Sequence, residues 1–153
     1  MVNVECGMRD VVSGFSRTVT IARTALDAVV AHARDAAPAE CCGLLLGRDG
    51  AVVEAVRTAN VAEDQRSRFV IDPKDHIDHR REARRRGFDV AGFYHSHPRA
   101  AASPSATDRA EASYPDHLYL IVGLAHEPPD VGLFRLDTAG TGNFLRLPFV
   151  TVG

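Results

Sequence analysis

Apolar residues along this chain follow two periods, and the switches between them mark its elements. Residues 17–23 alternate enough to predict a first strand. From Thr24, Leu26, Val29, Val30 and Ala33 recur at helical spacing, and Pro38 closes that helix. Residues 41–47 form a short continuous apolar run, read as a strand. Asp49-Gly50 is a hairpin turn, and residues 52–58 are the return strand. Residues 60–67 are a polar loop and residues 69–71 a short strand. Asp72-Pro73 then opens a second helix, with Asp72 as cap, proline at the first helical position and Asp75 three residues past the cap. Gly87 ends it, and residues 88–94 form a strand that delivers His95 and His97. A third helix starts near residues 103–105. Residues 118–124 are a buried strand, and residues 131–136 and 143–150 complete the sheet.

Strands and helices mixed along one chain predict an α/β or α+β class. At 153 residues, without repeats or a linker, the chain reads as one domain over residues 15–153. Residues 1–14 read as a loose leader, in which Met8 offers an alternative start. A 45% apolar and 25% charged composition is that of an ordinary soluble domain. A net charge of −2 gives no reason to expect nucleic acid as a partner. The longest strongly apolar run, residues 118–125, is too short to cross a membrane. Glu5, Arg9 and Asp10 interrupt any signal-peptide core, so the expected location is cytoplasmic. Cys6, Cys41 and Cys42 are odd in number and include no Cys-x-x-Cys pair, which suits a reducing compartment. Cys41 and Cys42 lie in an apolar strand and read as small buried hydrophobes. The basic run Arg80, Arg81, Arg84, Arg85, Arg86 ends a helix that begins with Asp72, Asp75 and Asp78. That order suits the helix dipole and reads as a solvated face, with docking of an acidic protein as the second reading.

The candidate chemistry is in His95-Ser96-His97-Pro98 and Ser105-Ala106-Thr107-Asp108. Histidines two apart in a strand share a face. Asp108 follows His97 by eleven residues, at a helix start. Two imidazoles and a carboxylate make three ligands, the number a catalytic zinc needs when its fourth position is left to water. Ser105 and Asp108 also form a helix capping box, and the two readings are compatible. Ser96 is expected on the opposite face, without a role. His32, His76, His79, His117 and His126 are assigned to surface or packing positions. The His-Glu-x-x-His of zincins and the His-x-Glu with Pro-Cys-x-x-Cys of zinc deaminases are absent. The chain is too short for an amidohydrolase barrel, and the helix at 73–87 argues against a cupin.

The constellation resembles the JAMM, or MPN-plus, metallopeptidase family. That family's pattern is an upstream glutamate, then His-x-His, seven residues, and Ser-x-x-Asp. Seven residues, 98–104, separate His97 from Ser105, and Glu40 leads Cys41-Cys42-Gly43-Leu44-Leu45-Leu46-Gly47, similar to the family's Glu-x-Cys-Gly-x-Leu-x-Gly strand. The resemblance implies a cytidine-deaminase-like fold, a strongly curved mixed sheet flanked by helices on opposite sides. It implies zinc on His95, His97 and Asp108, with Glu40 as general base and Ser105 as oxyanion partner. It further implies cleavage after the C-terminal glycine tail of a ubiquitin-like protein. Residues 60–67 and 113–117 leave little room for the insertions with which eukaryotic deubiquitinating relatives grip ubiquitin. This points to a prokaryotic stand-alone type acting on a small sulfur-carrier protein. A metallohydrolase of small peptides or amides remains an alternative. So does a non-catalytic MPN scaffold, although the presence of all five motif residues counts against it.

Overall fold

In the computed structural model, which describes residues 18–137, 139 and 141–153, the first half of the chain runs β1 (Val19–Ala22), α1 (Arg23–Ala36), β2 (Cys42–Arg48), β3 (Ala51–Thr58) and α2 (Pro73–Arg85). The second half runs β4 (Asp89–His97), α3 (Ala106–Glu111), β5 (Leu118–Gly123), β6 (Asp130–Leu136), β7 (Phe144–Leu147) and β8 (Phe149–Val152). The loose leader expected at residues 1–14, with Cys6, lies outside the described residues.

All eight strands form one mixed sheet in the order β7-β6-β5-β4-β2-β3-β1-β8. The two edge strands are joined by a single residue, Pro148. Laid flat, seven strand spacings would hold the edges roughly 34 Å apart. Two Cα steps reach no more than about 8 Å. The sheet is therefore strongly curved, nearly closing on itself. Register shifts at Leu46/Gly47 against β3 and at Leu45/Leu46 against β4 add local bend.

Helices cover both faces. On one, Ala25, Val29 and Ala33 of α1 pack with Ile21, Leu45, Leu120 and Leu133. On the other, Ala83 of α2 joins Leu44, Leu46, Phe93, Ile121 and Phe134. Leu44, Leu45 and Leu46 therefore go to opposite faces and are all buried, which explains the unbroken apolar run. Burying each such leucine stabilises the fold by about 1.5–3 kcal/mol. Ala22 caps α1 without a side-chain hydrogen bond, so that helix rests on its buried face.

Four local expectations need correction. The first strand is shorter than residues 17–23, because Arg23 already starts α1. Residues 69–71 form no strand. Only an isolated Asn60–Ile71 bridge exists there, because the Asn60 side chain takes over the ladder: its Oδ1 accepts from Val70 N (3.0 Å) and Ala62 N (3.0 Å). The strand at 143–150 is two strands. Pro148 has no N–H to donate, and the chain passes there from β6 at one edge to β1 at the other. Asp72 does cap α2, accepting from Lys74 N at 3.0 Å, but Asp75 turns outward and accepts from Ala59 N at 2.8 Å. The Asp49-Gly50 turn is a hairpin turn with φ of 54° and 79°, the pair of positive values that two-residue hairpins require.

Candidate metal centre

Strand β4 is central, paired antiparallel with β2 and parallel with β5. At its C-terminal end Tyr94 and Ser96 alternate with His95 and His97, and all four are buried. Tyr94 and Ser96 are each held from behind. The Tyr94 hydroxyl lies 2.7 Å from His32 Nδ1 on α1, and Ser96 Oγ accepts from Cys41 N at 2.9 Å. Ser96 thus has a positioning role that the sequence reading denied it. Without that hydroxyl, a buried Cys41 N–H would be left unpaired at a cost of about 1–3 kcal/mol.

On the other side His95 and His97 converge with Asp108. The two Nε2 atoms lie 3.2 Å apart. Asp108 Oδ1 is 3.1 Å from His95 Nε2, and Oδ2 is 3.1 Å from His97 Nε2. One ligand atom from each residue falls within 4.8 Å of the others. His97 Nδ1 donates to Ala101 O at 2.9 Å, so once the Nε2 proton that faces Asp108 is lost, Nε2 can offer its lone pair to a metal. Gly123 makes that bond reachable: a Cβ there would meet Ala100 O at 2.5 Å and Ala101 C at 2.6 Å. Asp130 Oδ2 holds the same loop by accepting from Ala102 N at 3.0 Å. Phe69 stacks on His95, with centroids 4.4 Å apart and planes 24° apart.

Asp108 is fixed by the capping box of α3. Ser105 Oγ accepts from Asp108 N (3.0 Å), and Asp108 Oδ2 accepts from Ser105 N (2.9 Å). Burial opposes its ionisation, yet hydrogen bonds from His95 and His97 hold its carboxyl far below the usual range. Burial lowers the His95 imidazole against the pull of Asp108. His97, also opposed by burial, is raised by Asp108 and the Ala101 carbonyl. Two neutral-capable imidazoles and one anionic oxygen are a donor set that suits zinc.

Glu40 stands two residues before β2. Its N–H donates to Gln65 O at 2.7 Å, and its carbonyl accepts from Asn60 Nδ2 at 3.0 Å. The same Asn60 nitrogen also donates to Arg68 O at 3.1 Å. One amide therefore joins Glu40 to the loop that carries Phe69. The Glu40 side chain is buried, and its Oε1 has no hydrogen-bond partner among the described residues. Burial pushes its carboxyl up to about 7, with His97 opposing and Asp108 adding to the rise. A buried carboxyl without a partner is costly and calls for a reason.

Beside the cluster opens a cavity of about 260 Å³, lined by His95 and Asp108 and by Phe69, Phe93, Tyr114 and Phe144. The remaining expectations fall as follows. His76 and His117 pack on the Phe93 ring, His79 Nε2 contacts Arg57 O at 3.0 Å, and His126 is exposed. Cys41 and Cys42 are free and buried, and burial raises their thiols to about 12 and about 11. Such thiols are poor nucleophiles. Phe69, Asn60, Ser96, Gly123 and Asp130 escaped the sequence reading. Of these only Ser96, a polar residue between two histidines in a buried strand, carried a visible signal.

Comparison with known proteins identifies the family. The family of prokaryotic homologs of the JAB domain matches residues 22–137. A desampylase from Haloferax volcanii is 40% identical over 112 residues, 69% of this chain and 81% of that protein. A protein of Desulfitobacterium hafniense solved in solution superposes with a TM-score of 0.79 at 31% identity, covering 88% of this chain and 93% of that one. A JAB1/MPN domain protein from Archaeoglobus fulgidus superposes at 0.55 with 20% identity, over 87% and 97% of the two chains, and shares the fold. The chain therefore belongs to the prokaryotic JAB/MPN (JAMM) family and is a hydrolase of its isopeptidase type.

Proposed function

We propose that this protein is a zinc-dependent isopeptidase. It hydrolyses the bond after the C-terminal glycine tail of a small ubiquitin-like, sulfur-carrier type protein, in a reducing cytoplasm. The observation that carries the reading is the buried Glu40, whose Oε1 has no partner among the described residues and whose charged neighbours include His97 and Asp108 of the candidate metal-ligating cluster. The sequence similarity to a desampylase supports it. No helix among the described residues is long and apolar enough to cross a membrane.

His95 Nε2, His97 Nε2 and an Asp108 oxygen would hold the zinc. When bound, it supplies Lewis-acid polarisation of the scissile carbonyl and makes water acidic enough to attack near neutral pH. Glu40 takes a proton from the attacking water and gives it to the leaving amine as the C–N bond breaks. Burial raises the Glu40 carboxyl, which makes it a stronger proton acceptor than an ordinary carboxylate, while a bound cation would draw it back down. Ser105 Oγ spends a lone pair on Asp108 N, so its proton is free to donate to the developing oxyanion. The apolar cavity beside His95 gives an extended tail a place to rest, and glycines allow the close backbone approach that a buried site demands.

Ser105→Ala is expected to lower kcat by roughly 10²-fold or more while costing only about 1 kcal/mol of stability from the lost cap. Turnover and thermal melting measured on one preparation separate the roles. Near-normal turnover with a shifted melt would leave Ser105 as a cap alone.

The substrate reading is tested with two fusions on one ubiquitin-like domain, ending in Gly-Gly or Ala-Ala before the same leaving group. Cleavage of the first and not the second is expected. Equal cleavage of both, or efficient cleavage of unrelated short peptides, would favour a small-amide hydrolase.

A further inference from the structure

Among the described residues, nothing pairs with the outer face of α2 around Ile77, Arg81 and Arg84. Ala83 faces the core. On the opposite side Lys74, Ile77, Arg81 and Arg84 recur at the spacing that stacks residues on one helical stripe. Ile77 is 52% exposed. Lys74 is neutralised by Asp78 and Arg85 by Glu82, and Arg86 pairs with Glu54. Arg81 and Arg84 have no ion pair or side-chain hydrogen bond among the described residues. Arg80, beside them, contacts only His76 Nε2, at 3.3 Å. Three guanidiniums thus follow the exposed Ile77 within seven residues of α2, Arg80 half-buried and Arg81 and Arg84 exposed, on a chain whose net charge is −2.

The start of α2 is tied to the candidate site. Asp75 of α2 accepts from Ala59 N, and Asp72 N donates to Ala59 O at 3.0 Å. That ties the helix start to the turn whose Val61 and Val70 are 50% and 40% exposed. Val70 and Tyr114 also line the cavity beside His95, as does His76 on α2. His76, which lines the cavity, is the chain neighbour of Ile77 in α2. Arg80, Arg81 and Arg84 follow three, four and seven residues beyond Ile77, up to about 10 Å along the helix.

We infer that the outer face of α2, Ile77 with Arg80, Arg81 and Arg84, docks the folded domain of the substrate through an acidic patch with an apolar centre, while the tail lies in the cavity. The inference rests on the isopeptidase reading. Two features select a protein over a nucleic acid. An exposed isoleucine beside the cations gains nothing from a phosphate backbone. The charge is also local on a chain without net positive charge, so it does not supply the broad positive field that a polyanion needs. Cations beside an apolar group speed encounter and set register with an acidic partner, leaving the apolar contact to slow dissociation.

The test uses the whole protein and three probes. One is a ubiquitin-like domain with a strongly acidic surface patch and a Gly-Gly tail joined to a leaving group. The second is its twin, with the patch carboxylates changed to lysine. The third is the tail alone as a short peptide, which does not reach the outer face of α2. For R81E/R84E, KM and Kd for the acidic domain should rise at least tenfold, with kcat on the short peptide within twofold of the parent. The lysine twin should recover most of the lost affinity with R81E/R84E and bind the parent poorly. R81A/R84A should show a smaller loss of the same sign. Unchanged affinity of R81E/R84E for the acidic domain would overturn the inference. So would an equal loss on the short peptide, or a loss of duplex-oligonucleotide binding with domain binding intact. If the parent binds the acidic domain in this charge-dependent way yet cleaves none of the probes, the docking face stands and the isopeptidase reading falls.

Discussion

Glu40→Gln is expected to lower turnover by about 10³-fold with bound metal unchanged. The glutamine keeps the size and backbone bonds of Glu40 but cannot accept a proton from water. Its N–H and carbonyl are held by Gln65 and Asn60, so the local fold has no reason to move. Metal content by elemental analysis and kcat on one preparation decide it. Loss of metal with activity would make Glu40 a ligand or a folding residue, and normal turnover would remove it from the chemistry. The pH dependence has a definite sign. Glu40 works as a base only when ionised, so kcat/KM of the loaded enzyme should fall as pH drops, at a limb below the value of about 7 that the metal-free chain sets. A bound cation moves that limb to lower pH. Stability runs the other way. A carboxyl raised from 4.5 to about 7 by burial binds more protons folded than unfolded between those values. Its ionisation therefore destabilises the fold as pH rises through that window, by at most about 3 kcal/mol. Glu40→Gln escapes this, and the metal-free variant should melt higher than the parent at pH 8 and no higher at pH 4.

The second large effect is expected from the histidines. His95→Ala and His97→Ala should each lose most of the bound zinc and essentially all activity, and the double variant should bind none. Removing an outer hydrogen-bond partner of a metal ligand costs 10–100-fold in affinity, and removing one of only three ligands should cost more. The fold should survive. His95 and His97 are the buried polar lining of one strand end, while the cores on both faces are built from other residues. Elemental analysis with far-UV circular dichroism checks both halves. Full metal retention in the double variant would sink the assignment.

The five candidate residues were legible because each carries its chemistry in its own side chain and sits at a spacing that a strand and a helix start convert into proximity. What supports them was not. Asn60 looks like any loop asparagine, yet its amide makes four hydrogen bonds that place Glu40 and the Phe69 loop together. Gly123 matters for what lies against it, and that neighbour, the 100–102 loop, is more than twenty residues away in the chain. Phe69 reads as a strand residue until the fold lays it on His95. The element pattern was readable wherever the period was long. It failed at 69–71, where a side chain replaces the ladder, and at Pro148, where pairing partners change within one residue.

That single-residue junction has a bearing on solubility. A hydrolase that accepts extended chains gains nothing from an open sheet margin, because such a margin accepts any extended chain, including another copy of itself. Here the two margins are β7 and β8, four residues each, and they meet at a proline that has no N–H. Polarity is not the protection, since Leu145, Val150 and Val152 are among the most exposed apolar side chains. Brevity is. By curling until its margins almost touch, the sheet leaves an intruding strand too few consecutive donors and acceptors to aggregate on.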